Sequence, residues 1–219
     1  MHFRTTPTSS KVRRDQQVGA PAFLLWVVGV MALIEFTLSA ADADIVGSPS
    51  WRWVAYGFGA FWQPLISGDV SPIFPGQTAT MFVTHAFLHG GLMHLVLNSV
   101  ILLALGKYIS ARIGPAKTML VLLLSAVGGG VAFGFISTSS APMIGASGAV
   151  FGLIGIWQTW DYLSRRRLRL SIQPVVSAML GLIFANFVLF AFLDGGLAWQ
   201  AHLGGWVVGC ISATTFVRN

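Results

Sequence analysis

Residues 118–136 read TMLVLLLSAVGGGVAFGFI, a run without a charged side chain. A helix needs about 20 consecutive and mostly apolar residues to cross the hydrocarbon core of a bilayer. The glycines at 128–130 favour the close approach of a neighbouring helix, as in membrane helix pairs. They do not fit the alternating pattern of a membrane β-barrel. The run therefore predicts a membrane-spanning helix.

Five more segments of this kind make up most of the chain. They cover approximately residues 21–40, 92–108, 144–162, 174–193 and 199–217. Hydrophobic residues form 55% of the chain and charged residues 9%, whereas soluble domains have about 25% charged residues. A soluble protein of 219 residues would not cover its surface with so few charges. We therefore predict an all-α integral membrane protein, with a bundle of six transmembrane helices over residues 21–219.

The basic residues predict how these helices are oriented. Twelve of the thirteen lie on one side of the predicted membrane, and Arg52 is the exception. Lys and Arg concentrate on the cytoplasmic side of membrane proteins, so residues 1–20 are predicted to form a cytoplasmic tail and both termini to be cytoplasmic. The second, fourth and sixth helices then all begin at the outer face. The twelve residues are Arg4, Lys11, Arg13, Arg14, Lys107, Arg112, Lys117, Arg165, Arg166, Arg167, Arg169 and Arg218.

The net charge of +6 does not indicate nucleic-acid binding. A nucleic-acid surface needs Lys and Arg clustered on a polar, exposed domain, and here they occupy short gaps between apolar runs. The run from Arg165 to Arg167 is interpreted as a topology signal that touches anionic lipid. The single cysteine, Cys210, excludes an intrachain disulfide. Charge placement and the short tail favour a multi-pass protein of a bacterial inner membrane.

The start of the chain has a second interpretation. Basic residues, an apolar run and the small-residue string at 38–43 resemble a signal peptide with a cleavage site. The apolar run is longer than a usual signal core and contains Glu35. We therefore expect the first helix to be retained.

A long outer loop, about residues 41–85, joins the first two predicted helices. Its aromatic residues predict a segment that lies in the headgroup layer, and a folded loop that packs on the helix ends is equally compatible. These aromatic residues are Trp51, Trp53, Tyr56, Phe58, Phe61 and Trp62.

Polar residues converge at one depth beneath the outer surface. His94 and Asn98 lie in the first turns of the second helix, Ser147 in the first turn of the fourth and His202 in the first turn of the sixth. Ionisable side chains inside a membrane are costly and are functional candidates by default. Since all three helices enter from the same side, their topology brings these side chains together.

The chemistry that fits these residues is acyl transfer. A serine becomes a good nucleophile when a neighbouring base removes its proton, and histidine is the usual base. Gly145 and Gly148 flank the serine and leave its amide exposed at a helix N-terminus, where an oxyanion is stabilised. His94 and Asn98 share a helix face and can add side-chain donors. Apart from Asp194, which lies in a loop, no acidic residue is near enough to complete a triad, so a Ser–His dyad is predicted.

Three motifs resemble those of the rhomboid intramembrane serine proteases. Residues 89–98, HGGLMHLVLN, resemble the family's second-helix signature, and residues 145–148, GASG, resemble its nucleophile motif. Ala201-His202, followed by Gly205 and Gly209, is similar to its sixth-helix motif. The resemblance implies a compact bundle with a water-filled cavity open to the outside. Its substrates would be single transmembrane helices, cut near their outer ends.

Roles for individual residues also follow from this resemblance. Ser147 would be the nucleophile and His202 the general base, while His94, Asn98 and the Ser147 backbone amide would form the oxyanion hole. Two positions depart from the bacterial pattern. Thr80-Met81 stands where Trp-Arg is common, which puts the anchoring of the outer loop in doubt, and Phe151 replaces a tyrosine but can still stack on His202.

Two further histidines, His85 and His89, are spaced i, i+4 and would suit a metal. A zinc protease motif would include a glutamate between them, and none is present. We expect them to hydrogen-bond loop backbone or to hold water, and we expect neither a metal nor another cofactor.

Two other functions stay open at this stage. A catalytically silent rhomboid-like protein would bind membrane clients, but it would need neither the serine nor the histidines. A small transporter would need polar residues at several depths, and here they lie at one.

Overall fold

A computed structural model of the chain describes residues 19–216, which contain nine α-helices. The predicted tail, residues 1–20, lies outside the described residues except for its last two positions, and so do Val217 and Arg218. The helices are α1 (Ala22–Asp42), α2 (Trp51–Gly59), α3 (Gln63–Ser67), α4 (Gln77–Thr84), α5 (Leu92–Ile113), α6 (Pro115–Ile136), α7 (Ser147–Arg167), α8 (Gln173–Phe192) and α9 (Trp199–Phe216).

Each of the six predicted long helices is present, and three of them differ from their predicted bounds by three residues or more. Helix α5 continues to Ile113 instead of ending near residue 108, because intrahelical hydrogen bonds continue into its polar C-terminal end until Gly114, with φ 85°, stops it. Helix α6 begins at Pro115 instead of near residue 118, and α7 continues to Arg167 instead of ending near residue 162. Helix α7 begins at Ser147 instead of near residue 144. Met143 pairs with Phe61 of the outer loop through two backbone hydrogen bonds of 2.8 and 2.9 Å, which keep the preceding segment extended.

The centre of the bundle is formed by α6, α7 and α9. Helix α7 buries small residues and aliphatic residues along most of its length, including Ala149, Leu153 and Ile156. Helices α1 and α5 pack on one side of this centre through Leu24, Met31 and Leu102. Helix α8 is peripheral, since Val175 is its one buried residue among those the structure describes.

Within residues 19–216, four helices are long and apolar enough to span a membrane by length and composition: α1, α5, α6 and α8. The protein is therefore an all-helical, multi-pass membrane protein. Helices α7 and α9 are less apolar because they carry polar residues such as Gln158, Asp161 and His202. The side chains of Gln158 and His202 are buried between helices, so they are shielded from lipid by protein.

The outer loop is folded over the helix ends. Tyr56 and Phe61 are buried beneath it, whereas Trp53 and Phe58 are at least half exposed. This arrangement agrees both with packing on the helix ends and with contact with headgroups.

Arg52, the exception in the predicted charge distribution, anchors this loop. Its guanidinium pairs with Glu35 at 2.9 Å and with Asp42 at 2.6 Å, and it donates to the carbonyl of His89 at 2.9 Å. The Glu35 side chain is fully buried, and these carboxylates raise the pKa of Arg52. Arg52 therefore ties α2 to α1 and to the start of α5, although Thr80-Met81 replaces the expected Trp-Arg.

Candidate active site

Ser147 is the first residue of α7, and its position follows from the loop before it. Gly145 adopts φ 113°, a conformation that favours glycine, and its amide donates to the carbonyl of His85 at 2.9 Å. Helix α7 then starts without a side-chain cap. The amides of its first turn have no intrahelical partner, and the Ser147 side chain remains partly exposed. A hydroxyl and unpaired amides therefore lie together at this helix end.

His202 lies in the first turn of α9 and faces this hydroxyl. Its Nε2 atom is 2.9 Å from Ser147 Oγ, although the two residues are 55 positions apart in the chain. The imidazole is buried and stacks on the ring of Phe151, with centroids 4.1 Å apart and an interplanar angle of 8°. The serine hydroxyl can donate directly to the imidazole, which is the geometry a general base requires.

Glycines bring α7 and α9 close enough for this contact. A Cβ atom at Gly205 would collide with the backbone of Gly148, and one at Gly209 would collide with the backbone of Gly152. The small residues of α7 and α9 are therefore in direct backbone contact. This contact fixes the separation of Ser147 and His202.

His94 lies across from the start of α7. Its Nδ1 atom accepts a hydrogen bond from the Gly90 amide at 3.3 Å, so in the neutral ring Nε2 carries the proton. A Cβ atom at Gly145 would lie 2.8 Å from His94 Nε2 and Cε1. The donor edge of the His94 ring is therefore in contact with Gly145, which precedes Ser147 by two residues. Asn98 is buried, and its Nδ2 donates to the His94 carbonyl at 2.9 Å. The other N–H of the Asn98 amide is left for a further acceptor.

The other two histidines within residues 19–216 are buried beside this site. His85 Nε2 lies 3.4 Å from the Ala126 carbonyl, and burial lowers the pKa of His85 to about 4. Burial, and then the proximity of His94, lower the pKa of His89 to about 4. The rings of His89 and His94 meet edge to face at 5.0 Å. Within residues 19–216, no group of three His, Cys, Asp or Glu side chains is placed to hold a metal ion.

Sequence reasoning missed a partner of His202. Asn186, on α8, places Oδ1 2.5 Å from His202 Nδ1. The signal was an amide side chain within an otherwise apolar run, at residues 182–193. Such residues are expensive in a membrane unless they have a partner.

The family model described as Rhomboid domain matches residues 76–219, more than half of the chain. The chain belongs to the rhomboid family. The match includes α4 to α9 and the site residues predicted from the sequence, whereas α1 to α3, with Glu35 and Arg52, precede it.

Individual rhomboid relatives are similar to this chain over part of their length. Rhomboid protease GlpG of Yersinia pestis (strain Pestoides F) is 31% identical over 139 residues, which are 63% of this chain and 48% of that protein. Rhomboid protease GlpG of Yersinia pseudotuberculosis serotype I (strain IP32953) is 30% identical over the same shares. RHOMBOID-like protein 4 of Arabidopsis thaliana is 29% identical over 64% of this chain and 35% of its own length. The chain thus spans about half, or less, of the length of these relatives.

Proposed function

We propose that this rhomboid family member is a serine endopeptidase that cleaves transmembrane helices of membrane proteins near their outer ends. The observation that carries the proposal is the contact of 2.9 Å between Ser147 Oγ and His202 Nε2. The names of the GlpG relatives, which are proteases, support the same reaction class.

In the first step, Ser147 Oγ attacks the carbonyl carbon of the scissile peptide bond and transfers its proton to His202 Nε2. The C–N bond then breaks, and the imidazolium returns this proton to the leaving amine. An acyl-enzyme on Ser147 remains. A water molecule, deprotonated by His202, attacks the ester and releases the acid product and the serine.

The oxyanion of each tetrahedral intermediate would be stabilised by three donors. The first is the backbone amide of Ser147, which benefits from the positive end of α7. The second is Nε2–H of His94, whose orientation follows from the Gly90 hydrogen bond. The third is the free N–H of the Asn98 amide. Removal of one such donor costs about 10²- to 10³-fold in kcat in serine proteases.

The membrane arrangement that fits this reaction has six spans, formed by α1, α5, α6, α7, α8 and α9, over residues 21–219. Helices α7 and α9 would cross as shielded central helices, and both termini would be cytoplasmic. The basic residues near the inner ends of the helices support this orientation. Ser147 and His202 would then lie just below the outer surface, where water can enter. The bacterial relatives support a bacterial inner membrane.

The test uses the full chain, reconstituted in liposomes with a single-span substrate whose helix is destabilised near its outer end. Wild type, Ser147→Ala and His202→Ala are compared, with product masses measured by mass spectrometry. Ser110→Ala is the matched control, because Ser110 is a buried serine near the inner end of α5. We expect cleavage in the outer half of the span by wild type and the control, and loss of cleavage in both site variants.

Full activity of either site variant would exclude the dyad. A client that binds wild type and Ser147→Ala equally, and that is cut by neither, would favour the catalytically silent binding protein instead.

A further inference from the structure

The contact between Asn186 and His202 joins the peripheral helix α8 to the proposed general base. Asn186 Oδ1 lies 2.5 Å from His202 Nδ1, and Asn186 Nδ2 donates to the carbonyl of Leu182 at 2.9 Å. The Leu182 carbonyl can only accept a hydrogen bond, so it fixes the orientation of the amide. Oδ1 is therefore the atom that faces the imidazole, and it can only accept from Nδ1–H.

This hydrogen bond selects one tautomer of His202. A neutral imidazole carries one proton, and if Nδ1 holds it, Nε2 has a free lone pair. Nε2 is the atom 2.9 Å from Ser147 Oγ. The other tautomer would place a proton on Nε2, where it could not accept the serine proton. Asn186 thus keeps the ring in the form that a general base needs.

Asn186 also restrains a motion that the Phe151 stack does not. The stack holds the plane of the His202 ring, with an angle of 8° between the planes, but leaves rotation within that plane free. A second contact at Nδ1, on the ring edge away from Ser147, fixes this rotation. His94, on α5, is the titratable residue that interacts electrostatically with His202. Asn186 is the polar contact of His202 from α8.

The apolar surroundings of Asn186 favour its hydrogen bond to His202. A cavity of about 480 Å³ lies between α8 and the pair α7 and α9, beside this hydrogen bond. It is lined mainly by apolar side chains such as Met179, Ile183 and Phe187. Hydrogen bonds are stronger in such low-dielectric surroundings, and an unpaired amide there is costly. Asn186 and His202 therefore favour each other as partners.

We propose that Asn186 is a positioning residue for the general base, so that the Ser147–His202 dyad is supported by a third side chain. The proposal rests on the proposed protease function. Asn186 does not contact substrate in this role, and it acts through the tautomer and orientation of His202.

The test compares Asn186→Leu, which removes the acceptor at similar size, with Asn186→Asp, which keeps an acceptor and adds a charge. Phe187→Leu is the matched control, because Phe187 lines the same cavity from α8. Each variant is reconstituted with the single-span substrate, and kcat, KM and the pH–rate profile are measured. The reaction of Ser147 with a fluorophosphonate probe reports its nucleophilicity without substrate binding.

For Asn186→Leu we expect kcat and probe labelling to fall by about 10- to 100-fold with KM nearly unchanged. The Phe187→Leu control should keep kcat and its pH profile. In Asn186→Asp, activity at the optimum should be largely retained, and the acidic limb of the profile should move to higher pH because a carboxylate stabilises the imidazolium.

Wild-type kcat and labelling in Asn186→Leu would overturn the proposal while leaving the protease intact. If Asn186→Leu does not fold, Asn186→Asp decides alone, and an unmoved acidic limb overturns the proposal. Failure of wild type to cleave substrate or to label at Ser147 would instead overturn the proposed function.

Discussion

Gly145, two residues before Ser147, combines a backbone requirement with a contact in the site. Its φ of 113° favours glycine, and a Cβ atom there would lie 2.8 Å from His94 Nε2. An alanine would therefore strain the backbone and displace the proposed oxyanion donor at the same time.

We expect Gly145→Ala to lower kcat by about 10²-fold or more and to lower stability by about 1–3 kcal/mol. Gly114→Ala is the matched control, since Gly114 also has positive φ, at 85°, but a Cβ atom there would meet open space. The control should lose stability while its folded fraction keeps full activity. Cleavage assays and thermal unfolding in detergent measure both quantities. Equal kcat in the two variants would show that the His94 contact is irrelevant to the reaction.

His85 makes a residue-scale prediction about pH. Burial lowers its pKa to about 4 in the folded protein, whereas the pKa in an unfolded chain is about 6.5. The unfolded state therefore binds more protons between these values, so stability is complete above pH 6.5 and is lost as the pH falls towards 4. At pH 5 the loss from His85 is on the order of 2 kcal/mol.

His85→Gln should reduce the difference in melting temperature between pH 7.5 and pH 5 in detergent, because the amide cannot be protonated there. His89, whose pKa is also lowered to about 4 by burial and by His94, should preserve part of the pH dependence. If His85→Gln shows the same difference in melting temperature as wild type, His85 is not a source of the pH dependence of stability.

At the scale of elements, the contact between α7 and α9 sets the geometry of the site. A Cβ atom at Gly205 would collide with the Gly148 backbone, one residue from Ser147, while His202 lies one turn away on α9. An added methyl group would push the two helices apart at the level of the dyad.

Gly205→Ala should lower stability by about 1–3 kcal/mol, as overpacking does, and should remove most cleavage and fluorophosphonate labelling. Gly181→Ala, on α8, is the control because a Cβ atom there would meet open space. That change should leave activity intact and stabilise the helix by up to about 1 kcal/mol through helix propensity. Wild-type labelling in Gly205→Ala would show that the helices tolerate separation.

Element positions also explain what the sequence could predict. The starts of three predicted helices on one membrane face were enough to bring Ser147 and His202 to similar depth. The contact between Ser147 and His202 also needs the glycines at i, i+4 spacing, Gly148 and Gly152 on α7 and Gly205 and Gly209 on α9. These glycines are visible in the sequence. Asn186 was not predicted because α8 is apolar around most of its circumference, so its sequence does not set which way it is rotated.

Arg52 shows the same limit in the outer loop. Its partner Glu35 lies 17 residues earlier, on another helix, so no local pattern joins them. The positive-inside rule treated Arg52 as an exception, whereas the structure gives it a buried carboxylate to neutralise. Removal of one partner from a buried ion pair costs about 3–5 kcal/mol, so the buried Glu35 carboxylate requires the Arg52 charge wherever the other basic residues lie.

At the scale of the whole molecule, the number of membrane spans depends on whether α7 and α9 cross the bilayer. Four helices qualify as spans by composition among the described residues, and α7 and α9 do not. These two helices are packed against each other and against α6, and the side chains of Gln158, His202 and Ser212 on them are buried. A helix whose polar side chains are buried against other helices does not need the hydropathy of one that faces lipid, and this supports the proposed arrangement of six spans.

The two topologies place particular loops on opposite sides, so cysteine labelling separates them. In a Cys210→Ser background, single cysteines replace Asp69, Ser164 and Asp194, which are all exposed. With six spans, a membrane-impermeant maleimide added to intact spheroplasts should label positions 69 and 194, and position 164 only after permeabilisation. With four spans and the same cytoplasmic N-terminus, 164 would be labelled from outside and 194 would be protected. Position 69 is the internal control because both topologies place it outside.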